Sequence, residues 1–242
     1  MVEVGSRLDL PRAALDPGDM TSDAVEDAPR RPRLTLGRVD RIQVQVGYRG
    51  RPDGPAAQHF LLDMTLPESD PDGSAGVVDE SRILTALEPV LYAESDAPLH
   101  YSVHAHRWHT SWGPSPGALE VGVLVTTGPG ASALAGAWER GAILAFRDLL
   151  GLLGRRTTPP VSRDAAVLRA RQSAATAYAV DPDALSLSAE EHHPAEGSWT
   201  VGLRSRQGDE YDVVVGLVDG YAGSVRVRHT TLSEVFDSVG SE

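Results

Sequence analysis

Arg155-Arg156-Thr157-Thr158-Pro159-Pro160 is the stretch on which the fold turns. It follows an Ala/Leu/Gly-rich run at about 131–153 and precedes a second helical run, about 163–180, that opens on the N-cap residue Ser162. Two consecutive prolines disfavour one helix through this point, because each biases the preceding residue to extended backbone. Taken as a linker, 156–161 divides the chain into an N-terminal unit, 34–155, and a C-terminal unit, 162–232. Residues 1–33 are rich in Asp, Pro, Gly and Arg without periodicity, and they and 233–242 are expected to be tails.

On the N-terminal side, Ile42, Val44, Val46 and Tyr48 alternate with Gln43, Gln45 and Gly47, the pattern of a half-buried strand. A turn at 49–54 leads to Phe60, Leu62, Met64 and Leu66, which alternate with His59, Asp63 and Thr65 as the hairpin partner. An acidic loop and a short helix at about 79–87 precede a second hairpin, 99–109 with 118–126. The helix at 131–153 carries Leu134, Trp138, Ile143, Phe146, Leu149 and Leu150 around much of its circumference, so cover on more than one side is expected. The C-terminal side gives a helix, a possible short strand near 185–188, and a meander of strands at 198–205, 211–218 and 224–230. Trp199, Val201, Leu203, Tyr211, Val213, Val215, Leu217, Val225 and Val227 share the face that should meet the helix. The expected class is α+β, as two small antiparallel-sheet-plus-helix units, ββαββα and then αβββ. In outline the second unit resembles cystatin-like or PepSY-like modules.

The 242 residues contain no lysine, asparagine or cysteine, as expected of a very GC-rich genome. Schiff-base lysines, P-loop lysines, thiolate nucleophiles, disulfides and Cys-ligated metals are thereby excluded. A net charge of −12 argues against nucleic acid and anionic lipid as partners. The N-terminus lacks the basic and apolar regions of a signal peptide, and a cysteine-free chain fits the cytoplasm. The longest uncharged run, 121–138, is interrupted by Gly128-Pro129-Gly130, so no membrane span is expected.

Four of eight histidines lie in one stretch, Leu99 to His109. In a strand, His100, Ser102, His104, His106 and Trp108 share one side. His104 and His106 start about 7 Å apart and can converge on one metal, whereas His100 and His104 start about 13 Å apart. Pairing His106 with Glu120 would put that carboxylate on the same side, with His59 and Asp63 as further ligands. The set His104, His106 and Glu120 would suit Zn or a similar divalent ion and a metal-dependent hydrolase. The plainer account is a solvated strand face with an ordinary cross-strand pair. Gly128, Gly130 and Ser132, between strand and helix, offer backbone N–H groups to a small anionic ligand, although the tight turn alone explains the glycines. Arg204, Arg226 and Arg228 form a stripe for which charge pairing with residues such as Asp212 is the simpler explanation. Gly113-Pro114-Ser115-Pro116-Gly117 matches Gly-x-Ser-x-Gly but sits in a hairpin tip flanked by prolines, unlike a nucleophile elbow. No catalytic residue is assigned.

The run Trp112-Gly113-Pro114-Ser115-Pro116-Gly117-Ala118-Leu119-Glu120-Val121, followed by a Gly/Ala-rich helix, resembles small accessory proteins of actinobacterial effector or conflict systems. That resemblance implies an accessory role in a multi-component assembly. With no catalytic constellation in view, the sequence points to a non-enzymatic, cytoplasmic protein without a cofactor. It would bind another protein or itself, and Trp138 and Phe146 are the candidate interface residues.

Overall fold

The computed structural model describes residues 39–50, 55–66, 80–92, 96–108, 117–127, 132–152 and 159–231. All of them lie in one compact unit that begins at Gly37. In chain order they form β1 (Val39–Arg49), β2 (Gln58–Thr65), α1 (Glu80–Ala86), α2 (Glu88–Tyr92), β3 (His100–Trp108), β4 (Gly117–Thr126) and α3 (Ser132–Leu152). Then come α4 (Arg163–Tyr178), β5 (Ser186–His193), β6 (Ser198–Arg204), β7 (Glu210–Val215) and β8 (Ser224–Thr230). The linker at 156–161 falls partly on 153–158, outside the described residues, as do the tails.

The expectation of two separate sheets is overturned. All eight strands form one mixed sheet in the order β3-β4-β1-β2-β8-β7-β6-β5. The join is an antiparallel pairing of β2 with β8, from Gln58 opposite Arg228 to Leu62 opposite Ser224. In separate units β2 and β8 would both have been edges with unpaired backbone groups. Pairing satisfies them, and the side chains agree: Leu61, on the otherwise polar side of β2, packs into the cluster beneath α4. A second departure is β4, which lies parallel to β1, with Val44 opposite Val121, and leaves β3 on the edge. Leu119, Val121, Val123 and Val125 are all buried as a result.

The two long helices cover opposite faces and opposite halves of this sheet. On the first face, Trp138 and Phe146 of α3 pack on Tyr48 of β1 and Phe60 of β2, with ring centroids 5.1–6.1 Å apart, and α1 and α2 complete that layer with Ile83 and Val90. On the second face, α4 packs over β6, β7 and β8. Its buried residues Ala166, Ala170, Ser173 and Ala174 recur at helical spacing and are small, so the helix sits close on Val201, Val213, Val215 and Val225. Ser162 caps α4 by accepting from Ala165 N at 3.3 Å, and the helix ends where Ala179 turns left-handed at φ 53°.

Each helix also has an ionic link across the β2–β8 join. Glu139 of α3 accepts from both Arg226 and Arg228 of β8. Burial pushes this carboxyl up, but the two guanidiniums outweigh it and hold the group below the ordinary range. Arg169 of α4 donates to Asp63 of β2 at 3.0 Å. Beside this link, Asp63 N donates to Gly223 O at 3.0 Å and Tyr221 Oη donates to Asp63 O at 3.0 Å.

A Cβ on Gly223 would lie 2.1 Å from the Asp63 carbonyl oxygen, a backbone atom that cannot swing aside. Gly223→Ala should therefore force β2 from β8 and cost about 1–3 kcal/mol, the range for overpacked sites. Urea denaturation of the two proteins checks this, and an unchanged midpoint would contradict so close an approach.

Candidate functional site

α4 lies over β6, β7 and β8 and reaches β2 at Leu61 and His59, so among the described residues no helix packs on the second face of β3, β4 and β1. The register arranges that open half in rows across the strands. One row runs Asp63, Gln43, Glu120, His106; the next runs Leu61, Gln45, Gly122, His104; the third runs His59, Gly47, Leu124, Ser102. Where the open face meets the flank of α4 there is a cleft of about 380 Å³. Its floor includes Arg41, Gln43, Gln45, Asp63 and Glu120, and its wall Arg169, Gln172, Ser173 and Thr176. The volume lies at the lower end for small-molecule sites, and the lining is more polar than usual.

At one end of the cleft Asp63 is held by two arginines. Arg41 binds it with two parallel bonds, Nε to Oδ1 at 2.8 Å and Nη2 to Oδ2 at 2.6 Å, while Arg169 Nη2 donates to Oδ2. Burial alone would raise the Asp63 pKa, but the bonds and charges of the two arginines together depress it. The carboxylate is spent, and this end keeps a net charge of about +1. At the other end Glu120 makes no hydrogen bond or ion pair with a described residue. His104 lies flat over Gly122, where a Cβ would meet the imidazole at 1.8 Å. Any larger residue at 122 would lift the ring off the sheet.

His59 sits at the foot of α4. Its Nδ1 is 3.1 Å from Gln45 Nε2, and its ring meets Tyr178 edge-on with centroids 5.0 Å apart. Tyr178 in turn packs on Tyr211 and His229, and burial raises its pKa. Burial, and secondarily the charge of Arg49, lowers the His59 pKa to about 4.

His104, His106 and Glu120 do share a face, and His106 is opposite Glu120. His59 is buried beneath α4 and Asp63 is occupied by arginines, so neither is available to them. Among the described residues no three His, Asp or Glu side chains gather as metal ligands. Gly128 and Gly130 lie outside the described residues, as do the Gly113–Pro116 part of the Gly-x-Ser-x-Gly match and the side chain of Ser132. Trp138 and Phe146 are wholly buried in the chain's own core and present no surface to a partner. The arginine stripe is charge-paired: Arg204 with Glu210, and Arg226 and Arg228 with Glu139 of α3 instead of Asp212. The cleft residues Arg41, Gln43, Gln45, Arg169 and Gln172 gave no sequence signal beyond the polar side of β1 and an exposed helix flank. No described helix is long and apolar enough to cross a membrane. Comparison with family models, curated proteins and solved structures finds no match to this chain.

The His59 shift makes stability depend on pH. The unfolded chain takes its proton near 6.5 and the folded chain only near 4. Between these values the unfolded state holds more protons, so stability is fully present above pH 6.5 and declines as pH falls towards 4. The loss is about 3 kcal/mol. His59→Gln should flatten this part of the stability profile, measured by urea titration at each pH. Parallel profiles for the two proteins would show that His59 titrates normally.

Proposed function

We propose that this chain is a non-enzymatic binding component of a multi-protein assembly, and that it takes an extended segment of another protein along the outer edge of β3. The observation that carries this is the asymmetry between the two edges of the sheet. Among the described residues nothing pairs with the outer edge of either β3 or β5. The β5 edge is blunted by a register shift between Leu187 and Ala189, by the charges of Glu190 and Glu191, and by the link from Arg163 to Glu190. β3 has nine residues paired to β4 without a break. It contains no proline and no acidic residue, and it exposes side chains on both faces, with Tyr101 at 48% and Val103 at 42%. Such an edge suits strand addition, in which the backbone gives affinity and alternate side chains give specificity.

The partner segment would carry apolar residues beside Tyr101 and Val103 and hydrogen-bond acceptors beside His100 and His104. A different protein is favoured over a second copy, since two chains of net charge −12 repel each other. The resemblance of Trp112–Val121 to accessory proteins of actinobacterial effector systems suggests the setting, a cytoplasmic one.

A photo-crosslinking residue at position 101, used in the native cell, tests this together with Val103→Lys, which places a charge on the edge. The expected result is one discrete adduct with another protein, reduced at least about tenfold by Val103→Lys, with stability changed by less than about 0.5 kcal/mol. An adduct with the chain itself would replace the partner by self-association. No adduct, or one indifferent to the lysine, would remove the edge as a binding site.

A further inference from the structure

We propose that the cleft between α4 and the open half of the sheet binds a small zwitterion of dipeptide size, its carboxylate on Arg41 and Arg169 and its ammonium on Glu120. This does not depend on the edge of β3, which faces away from the cleft wall.

The charges of the cleft are separated along its length. At the Asp63 end, three hydrogen bonds to the carboxylate use Nε and Nη2 of Arg41 and Nη2 of Arg169. Nη1 of each guanidinium makes no hydrogen bond with a described residue, and Nε of Arg169 is buried without a partner. Two guanidiniums already fixed by one carboxylate need little further ordering to receive a second. Glu120 is in the same row, two strands away, and is half-buried without a partner among the described residues. Two strand spacings are about 10 Å between backbones, and an extended dipeptide spans about 7 Å, so both ends can be met together once side chains reach inwards. A single amino acid is too short to do so.

The middle of the cleft is neutral and made of amides. Gln43 lies between Asp63 and Glu120, and Gln45 keeps its carbonyl oxygen after its amide nitrogen meets His59. Each can serve the N–H or C=O of a peptide bond. Ser173 and Thr176 line the helix side, while Leu61 adds an apolar side chain to the floor. Glu120 and the net charge of −12 oppose dianions such as phosphate esters.

Calorimetric titration of the full chain with alanylalanine tests the assignment, beside N-acetyl-alanylalanine and alanylalanine amide. Alanylalanine should bind with saturable heat, and blocking either end should weaken it at least about tenfold. Glu120→Gln, which removes no hydrogen bond or ion pair to a described residue, should weaken alanylalanine by a similar factor and leave the acetylated peptide unaffected. Arg41→Gln should do the converse, weakening binding of the acetylated peptide and sparing the amide. If Arg41→Gln unfolds, Glu120→Gln alone decides. Absence of binding at about 10 mM, or equal binding of all three peptides, would overturn the proposal.

Discussion

The pairing of β2 with β8 is the contact on which the rest of the molecule depends. Five residue pairs, from Gln58–Arg228 to Leu62–Ser224, turn two four-stranded halves into one sheet. Without it, Phe60 and Leu62 on one face and Leu61 and Val225 on the other would border solvent. The close approach of Gly223 to Asp63, and the bond from Tyr221 to the Asp63 carbonyl, fix the register at the end of this join.

Among the described residues, helices on opposite faces of opposite halves leave two quarters of the sheet uncovered. On the first face the bare quarter over β6 and β7 carries paired charges such as Arg204–Glu210. On the second face the quarter over β3, β4 and β1 carries amides, histidines and Glu120, a carboxylate without a partner among the described residues. The flank of α4 supplies a wall there, and the Asp63–Arg169 link that ties the helix across the join also charges one end of the cleft.

Much of the secondary structure is legible in the sequence. Period-two alternation marks β1, β2 and the β6–β8 meander, Ser162 and Asp181-Pro182 bracket α4, and a hairpin register that pairs His106 with Glu120 puts the two on one face. Alternation says which side a residue takes but not which strand lies next to it. The β2–β8 join and the parallel β1–β4 pair rest on contacts between residues far apart in the chain, and these leave only indirect traces. Leu61 among the polar positions of β2 is one, since a leucine there implies cover on the second face as well. Pro159 and Pro160 lie outside any helix, but the strands before and after them share one sheet. The cleft was illegible for the same reason: Arg41, Gln43 and Gln45 look like a solvated strand face until α4 is placed beside them.

Native-state hydrogen exchange in increasing denaturant tests most directly whether the halves form one cooperative structure. Amides of β1, such as Val44 and Val46, and of β7, such as Val213 and Val215, should converge on a single opening free energy with a single denaturant dependence. If β5–β8 with α4 opened at lower denaturant while β1–β4 with α3 stayed protected, the halves would be separate units. The β2–β8 pairing would then be only a contact between them.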